Sequence, residues 1–294
     1  MIEVKAVRIT SGRNISVTPL ADGLPREQGD HVRVLLCERH SRVSVPAGMT
    51  GLWCPLSSGI WVEALGSRFF VKRGSVYTSD PDYTHEINVP MRGMSIAVLA
   101  RHSVWAQLTS SCSESIGSLP VVFPANHVMP VGSRLALLQL VRRLLDRADT
   151  TDSRASEHFG QMMMQMQQCF LPLLQRCPGS SVARRSQIFL RLQRARHLIQ
   201  TSPSRGIDIT TLGKLTNYSA NQLIRLFRLV FGETPYASLL RVRVEYAQRL
   251  IRDTEMDISE VSRISGFENR TSFSRAFKIH SGGTASEFRT SLRQ

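Results

Sequence analysis

The sequence predicts an α+β protein of two domains, the first built on β-strands and the second entirely helical. Three observations indicate this division. The first hundred residues contain short segments rich in β-branched and aromatic residues, the sequence from about residue 104 onward follows a helical period, and one short pattern occurs twice near the end. A length of 294 residues allows two domains with separate cores. We therefore expect a β-barrel with a helical extension, followed by an all-helical domain.

Short β-type segments account for most of the first hundred residues. The segments are VRVLLC, IWVEAL, RFFVKRGSVYT and GMSIAVL, and clusters of Gly, Pro, Ser and Asp separate them. This spacing is typical of a sandwich or a barrel. We expect the aromatic side chains of this region to fill the barrel core: Trp53, Trp61, Phe69, Phe70 and Tyr77.

Two amphipathic helices are expected within 133–175, in a helical region that begins at about residue 104. The second helix contains Pro172, which should bend or end it. Its Met-rich stripe has two interpretations, namely packing against its own domain or forming part of a coiled-coil-like dimer seam. One face of the first helix comprises Leu137, Val141, Leu144 and Leu145, and the stripe of the second comprises Phe159, Met162, Met163, Met166, Phe170, Leu173 and Leu174.

A small, polar and basic stretch, RCPGSSVARR, is the best candidate for a linker. We expect a first domain over residues 1–175, with its helices at 104–175. The predicted linker covers 176–184, and the predicted DNA-binding domain covers 185–294.

Positive charge is concentrated in the C-terminal third. From Ala183 onward the sequence has 19 Lys and Arg against nine Asp and Glu, so +10 of the formal net charge of +14 lies there. Such a basic domain is typical of proteins that bind a polyanion such as DNA. A merely solubilising surface is the less specific interpretation.

Cysteine usage and hydropathy indicate a cytoplasmic protein. The five cysteines are scattered and odd in number, and no pair has zinc-ligand spacing, so we expect reduced thiols and no metal. The first twenty residues lack the apolar core of a signal peptide. No run of about eighteen apolar residues occurs, so no membrane span is expected.

One pattern occurs twice, fifty residues apart: LIRLFRLVFGET begins at Leu223 and FSRAFKIHSGGT begins at Phe273. Each copy follows a shorter helical segment that opens with Asp-Ile-Thr or Asp-Ile-Ser, an N-cap signature. A residue suited to the left-handed conformation, Asn217 or Gly266, should separate the two helices of each copy. A helix, a short turn and a second helix form a helix-turn-helix unit.

The repeated positions have structural reasons. Apolar residues four apart, such as Phe273 and Phe277, should pack the second helix onto the first, as should Leu223 and Phe227. Arg225 and Arg275 lie off that face, where an exposed guanidinium can reach a base edge or a phosphate. We expect N-caps at Asp208, Asp257, Ser219 and Glu268 or Asn269, aromatic plugs at Tyr218 and Phe267, and helix ends at Gly232 and Gly282.

A single helix connects the two copies. Pro235 stands where a first-turn proline belongs, and some twenty residues at about 1.5 Å each give a rod of roughly 30 Å. Successive major-groove faces of B-DNA are about 34 Å apart. One chain should therefore place two recognition helices in adjacent major grooves.

At these residues the chain resembles the AraC/XylS family of bacterial transcriptional regulators. The resemblance covers roughly residues 185–289 and is strongest in ISEVSRISGFENRTSFSRAFKIHSGGTASEFR. It implies a cytoplasmic, homodimeric regulator, an activator in type, that binds double-stranded DNA and contacts RNA polymerase. It also implies that a small-molecule effector or a partner acts at the N-terminal domain. A regulator whose first domain only dimerises is the alternative.

By position in the family motif, the resemblance implies DNA contacts from both units. Ile224 stands where a polar base-reading residue is usual, and isoleucine can contact a thymine methyl but cannot form a hydrogen bond. Base contacts are expected from Asn221, Ile224, Arg225, Arg270, Thr271, Ser272 and Arg275. Backbone contacts are expected from Ser219, Arg228, Asn269 and Lys278.

The N-terminal half resembles the cupin-like sensor or dimerisation domain common in this family, through the segment FVKRGSVYTSDPDYTHEI. In enzymatic cupins a related stretch helps to bind metal, together with an upstream His-x-His pair. No His occurs between Val43 and Phe70, so we expect His85 to be a structural or pocket-rim residue. With no nucleophile–base pair either, we expect no enzyme activity and no cofactor, and a cupin-type metal enzyme is the least favoured alternative.

Overall fold

A computed structural model describes residues 2–17, 31–111, 122–146, 153–204 and 206–292. The chain divides into two compact units, residues 1–190 and 191–294. This division falls within the helix Val182–Thr201. The predicted linker at 176–184 and the predicted domain start at residue 185 therefore stay predictions.

The first unit contains two β-sheets. One sheet has six strands in the order β1-β3-β10-β5-β8-β11, and the other has five in the order β2-β4-β9-β6-β7. Most neighbours are antiparallel, but β1 pairs in parallel with β3 and β2 in parallel with β4. The strands are β1 (Glu3–Ile9), β2 (Asn14–Ser16), β3 (His31–Cys37), β4 (Arg42–Val45), β5 (Met49–Pro55), β6 (Ile60–Ala64), β7 (Ser67–Val71), β8 (Ser75–Thr78), β9 (His85–Asn88), β10 (Ser95–Arg101) and β11 (Ala125–Val128).

The six-stranded sheet is buried on both faces, because alternate residues of its strands enter two different cores. On β5, Trp53 points into the core between the two sheets, whereas Leu52 and Cys54 point to the other face. The core between the sheets includes Leu35, Trp53, Tyr77 and Leu99 from one sheet and Val43, Val62, Phe69 and Ile87 from the other. The β-rich first region that the sequence predicts is therefore confirmed, and its helices lie on the outer face of the six-stranded sheet.

Helices alternate with and follow the last strands, with β11 between the first two of them: α1 (His102–Ser111), α2 (Val131–Asp146), α3 (Ser153–Gln167) and α4 (Leu171–Gln175). Helix α3 gives way to a short 3-10 turn at Gln168–Phe170, and Pro172 lies in the first turn of α4. A first-turn proline costs no hydrogen bond, because that backbone N–H would have no partner within the helix. The expectation that Pro172 interrupts the helix is confirmed.

The Met-rich stripe of α3 is part of the protein core. Phe159 and Met163 are fully buried, and Met162 is nearly so, in the cluster that also contains Trp105 of α1 and Val141 of α2. Met166 packs against the same cluster while half-buried. The structure therefore favours the first interpretation of this stripe, packing within its own domain.

Two expectations for this unit are wrong. Residues 125–128 form strand β11 within the region expected to be helical, because they pair with β8 at the edge of the six-stranded sheet. Trp61 and Phe70 are not core residues, since they lie on the outer face of β6 and β7 with 37% and 47% of their surfaces exposed. Their rings contact each other there at 5.1 Å between centroids.

His85 is a structural residue of the inter-sheet core. The Nε1–H of Trp53 donates a hydrogen bond to His85 Nε2 at 3.3 Å, and the ring of Tyr77 lies edge-on to the imidazole. Burial lowers the pKa of His85 to about 4, although a hydrogen bond with the Tyr83 backbone opposes this shift. The imidazole is therefore neutral at pH 7, with Nε2 as the acceptor, as expected for a structural histidine.

Helices make up the second unit and the segment that leads into it: α5 (Val182–Thr201), α6 (Ile209–Thr216), α7 (Ala220–Phe231), α8 (Pro235–Asp253), α9 (Ile258–Ile264), α10 (Arg270–Ser281) and α11 (Ala285–Ser291). Pro235 opens α8, as expected. No helix among the residues described here is long and apolar enough to cross a membrane.

Met163→Ala should lower the free energy of unfolding of the first unit by about 2–5 kcal/mol, because it leaves a cavity at a fully buried site. Thermal denaturation of the full chain, followed by circular dichroism, measures this loss. Gln161→Ala, at an exposed position of the same helix, is the control and should change little. An unchanged melting transition for Met163→Ala would contradict the assignment of this stripe to the core.

The first unit should lose stability as the pH falls from about 6.5 to about 4. Burial holds the pKa of both His85 and His127 at about 4, so the unfolded chain binds protons in this range that the folded chain does not. His85→Gln keeps a hydrogen-bond acceptor for Trp53 and should flatten this pH dependence. His158→Gln, at an exposed site on α3, is the control. Equal pH dependence in both variants and the native chain would exclude His85 as a source.

Candidate nucleic-acid interface

The first helix-turn-helix unit consists of α6 and α7, and side chains cap the start of both helices. The Asp208 carboxylate accepts a hydrogen bond from the backbone N–H of Thr211 at 2.7 Å. Ser219 and Gln222 form a reciprocal capping box at the start of α7. Such caps satisfy backbone donors that have no partner within the helix, which fixes where each helix begins.

The turn between α6 and α7 is tight. Asn217 adopts the left-handed conformation, with φ of 54°, as its position in the sequence predicts. The carbonyl oxygen of Tyr218 lies so close to Gly213 that a Cβ atom at that glycine would approach it to 2.9 Å. A glycine at position 213 therefore lets α6 and the turn approach each other.

The second helix-turn-helix unit, α9 and α10, repeats the helix, left-handed turn and capped second helix of the first. Gly266 supplies the left-handed turn residue with φ of 92°, and the Asn269 side chain accepts from the backbone N–H of Ser272 at 2.8 Å. Asn269, rather than Glu268, is therefore the cap of α10. Asp257 stands at the N-cap of α9 as expected, but its side chain forms no capping hydrogen bond, and nothing in the structure explains this difference.

One face of each recognition helix is buried as the repeat predicts. Leu223 and Phe227 of α7 are fully buried, as are Phe273 and Phe277 of α10. Phe267 is buried at the corner of the second unit, where its ring contacts Phe273 edge-on at 5.3 Å. Tyr218 is a weaker plug, since it is only half-buried and Arg191 lies over its ring. Helices α7 and α10 end at Gly232 and Gly282, both left-handed.

The opposite face of each recognition helix is exposed, and it carries every residue that the sequence nominated for DNA contact. Ser219 and Asn269 also cap their helices, so their side-chain oxygens are already engaged by backbone N–H groups. The exposed set is Ser219, Asn221, Ile224, Arg225 and Arg228 in the first unit, and Asn269, Arg270, Thr271, Ser272, Arg275 and Lys278 in the second.

The exposed faces are basic and lack acidic residues. Neither α7 nor α10 contains an Asp or a Glu. Two acidic residues of the loop before α8 and of α8 itself, Glu233 and Glu245, both bind Arg241 at 2.8 Å. Burial alone would raise the pKa of Glu233, but hydrogen bonds from Arg241 and Ser238 hold it below its usual value. The cations on the recognition helices are therefore not offset by carboxylates on the same helices.

The structure adds a feature that the sequence did not indicate. A cleft of about 720 Å³ separates the two helix-turn-helix units. Ile224 of α7 lies on one side of it, Ser272 of α10 on the other, and the first half of α8 lies between them. Periodicity shows that Ile224 is off the buried face of α7, but only the tertiary structure shows that it borders this cleft.

An exposed aliphatic residue also recurs at the end of each recognition helix. Leu229 and Ile279, fifty residues apart, are 52% and 78% exposed. Sequence analysis missed this pair, although the repeat itself aligns the two positions. Among the described residues, no group of three His, Cys, Asp or Glu side chains is arranged to hold a metal ion.

Comparison with known proteins agrees with this geometry. A family model for a helix-turn-helix domain matches residues 212–291. The lactose operon transcription activator of Staphylococcus xylosus is 31% identical over 98 residues, which are 33% of this chain and 35% of that protein. The probable transcriptional regulator LumQ of Photobacterium leiognathi is 29% identical over 87 residues, 30% of this chain and 35% of that protein.

A solved structure, the C-terminal domain of the response regulator AraT from Geobacillus stearothermophilus, has 27% identity and a TM-score of 0.33, and the match covers 34% of this chain and 84% of that one. The chain spans about a third of the length of the curated relatives it matches. The family model extends from α6 to α11 and so includes both repeated units. The C-terminal unit of this chain is a helix-turn-helix domain of the AraC/XylS type.

Proposed function

We propose that this chain is a sequence-specific DNA-binding regulator of transcription, in which α7 and α10 enter successive major grooves. The observation that carries the proposal is the repetition of one recognition helix. The two copies lie fifty residues apart, bury equivalent apolar residues and expose equivalent polar and basic faces. An ordinary corner between two helices has no reason to be repeated with the same exposed basic residues.

The length of the connecting helix fits this proposal. Helix α8 has 19 residues. At about 1.5 Å per residue it is a little under 30 Å long, close to the roughly 34 Å between successive major-groove faces. One chain can therefore present both recognition helices to the same side of a duplex, and its site need not be palindromic.

The proposed roles of the exposed residues follow from their chemistry. Arg225 and Arg275 occupy equivalent positions in mid-helix, where a guanidinium can bind guanine through two hydrogen bonds. Ile224 can only contact a thymine methyl, so hydrogen bonding by α7 to bases depends on Asn221 and Arg225. In the second unit Arg270, Thr271 and Ser272 supply further base contacts. Contacts to phosphates are assigned to Ser219, Arg228, Asn269 and Lys278.

We further propose that the β-rich unit, residues 1–190, regulates this activity. It would do so by binding a small molecule or a partner and by forming a homodimer. RNA polymerase is the partner that activation of transcription requires. A first unit that only dimerises is the second candidate, and the filled inter-sheet core favours it, because Trp53, Phe69 and Tyr77 occupy that space. A bound effector would then require either a site outside this core or movement of these side chains.

Helix α2 offers a better dimer seam than the Met-rich stripe of α3. Val131 and Leu135 are 61% and 55% exposed, although both are apolar. Two half-buried leucines continue the same side of the helix: Leu138 lies three residues after Leu135, and Leu145 lies seven residues after Leu138. This alternation of three- and four-residue steps is that of a coiled-coil seam, interrupted once by Arg142. A dimer would present two DNA-binding units and raise the effective concentration of the second.

Arg275→Ala should cost about 1–3 kcal/mol in binding to the selected site and relax its preference at one base pair. Lys278→Ala should weaken binding to all sequences alike and reduce the salt dependence, because it removes one phosphate contact. Selection from random duplex DNA with the full chain identifies the site, and titrations at several salt concentrations then measure both variants. Ser259→Ala, an uncharged change at an exposed position of α9, is the control.

Equal losses on the selected site and on random DNA for both variants would show that the division into base and phosphate contacts is wrong. A native chain that enriches no sequence, or whose affinity is independent of salt, would overturn the proposed function itself.

Leu135→Glu should convert the full chain from dimer to monomer in sedimentation velocity, because it places a charge at an exposed apolar seam. The exposed position leaves the core intact, so circular dichroism should be unchanged. Ala136→Glu, also exposed on α2 but off the seam, is the matched control and should stay dimeric. A Leu135→Glu chain that remains dimeric would exclude this seam.

A further inference from the structure

We propose that Arg243 of α8 fixes the distance between the two recognition helices and thereby sets the spacing of the two DNA segments that the chain reads. The inference rests on the proposed function. It adds that the chain recognises the distance between the two DNA segments as well as the bases within them. It assigns a positioning role to a residue that lies outside both recognition helices.

Arg243 contacts both helix-turn-helix units. Its Nε–H donates a hydrogen bond to the backbone carbonyl of Pro203 at 2.9 Å, in the loop that leads into the first unit. Its guanidinium carbon lies 5.8 Å from the ring centroid of Phe267, the aromatic plug of the second unit. Phe267 in turn contacts Phe273 of α10. One side chain therefore connects the approach to α6 with the base of the second recognition helix.

The turn of the second unit packs directly against the same loop. A Cβ atom at Gly266 would lie 2.8 Å from both the Pro203 carbonyl oxygen and the Cα of Ser204, and 3.0 Å from Arg243 Nε. Backbone atoms cannot yield to such a contact as a flexible side chain can. Three segments that are far apart in sequence meet here without room for a methyl group.

The environment of Arg243 makes its geometry specific. The side chain is half-buried, and this burial lowers the pKa of Arg243, with the charge of Glu268 acting in the opposite direction. A guanidinium that has lost part of its water shell is stabilised only where its donors meet acceptors at the right distance and angle. Movement of the second helix-turn-helix unit, α9 and α10, away from Pro203 would break the contacts of the Arg243 guanidinium.

The cleft explains why such a contact is needed. Open space of about 720 Å³ lies between the two helix-turn-helix units. Ile207, Leu212 and Ile224 border it on the side of α6 and α7, and Phe267 and Ser272 border it on the side of α9 and α10. Helix α8 joins the units covalently but does not fill this space. Arg243 borders this space, and Arg243 and Gly266 both meet the loop at Pro203, so we infer that they hold α7 and α10 at one separation.

The test is a spacing assay with the full chain. Selection from random duplex DNA gives the two sequence blocks read by the native chain and the spacing between them. Binding is then measured to that site and to a second site with one base pair inserted between the blocks. The native chain should prefer the original spacing by about tenfold or more, the usual scale of one mismatched position.

Arg243→Met keeps a long apolar side chain over Phe267 but removes the donor. It should retain both sequence blocks and reduce the spacing preference to within about threefold, by gaining relative affinity for the inserted site. Arg243→Lys, which keeps a charge and a donor, should restore part of the preference. The matched control is Arg249→Met on the same helix, whose exposed guanidinium lies over the ring of Tyr246 of α8 itself, and it should keep the native preference.

The inference is overturned if Arg243→Met keeps the native spacing preference, or if it loses affinity equally for both sites, since the latter is the result of a merely structural role. Should Arg243→Met fail to fold, Arg243→Gln, whose side chain is too short to reach as far as arginine, decides the same ratio. A native chain that selects two blocks without any fixed spacing also overturns it. A native chain that selects a single block or none removes the proposed function as well.

Discussion

The DNA-binding unit depends on burying one face of each recognition helix while leaving the other entirely to solvent. Phe227, Phe273 and Phe277 supply that burial, and each is at most 1% exposed. Phe277 also contacts Phe288 of α11, so the last helix covers the back of the second unit. Because apolar contact holds these helices, the outward face is not needed for their packing, and apart from the caps Ser219 and Asn269 it can be devoted to DNA.

Local backbone chemistry then determines where each recognition helix begins and ends. The caps at Ser219 and Asn269 fix the first turn, and left-handed glycines close the last turn of both helices. A one-residue shift in either helix would rotate its exposed side chains by about 100°, which would turn the basic face away from a groove. Capping therefore contributes to DNA recognition even where it makes no contact with DNA.

In the β-rich unit, residues 1–190, the six-stranded sheet is covered on both of its faces. Its six-stranded sheet packs against the second sheet on one side and against α1, α2 and α3 on the other. Helix α2 buries Leu137, Val141 and Leu144 against that sheet and exposes Val131 and Leu135 elsewhere. Helix α2 therefore has a second apolar side that its own core does not bury, and this exposed apolar side is the physical basis of the proposed dimer seam.

The sequence by itself determined the features that depend on neighbours along the chain. The left-handed turn residues, the buried faces of α7 and α10, the interruption at Pro172 and the helix caps other than Asp257 follow from rules that act within a few residues, and they agree with the structure. The exposed candidate residues were predictable for the same reason, because the helical period separates Arg225 from Leu223 and Phe227.

Only the tertiary structure decided the features that depend on residues distant in the chain. Strand β11 exists because β8 offers it a sheet edge, and Trp61 and Phe70 are exposed because alternation in a strand does not show which face is covered. The cleft beside Ile224 and the contact of Arg243 with Pro203, forty residues away, arise from the packing of the two helix-turn-helix units. Packing of this kind is a property of the assembled surfaces, and no local pattern records it.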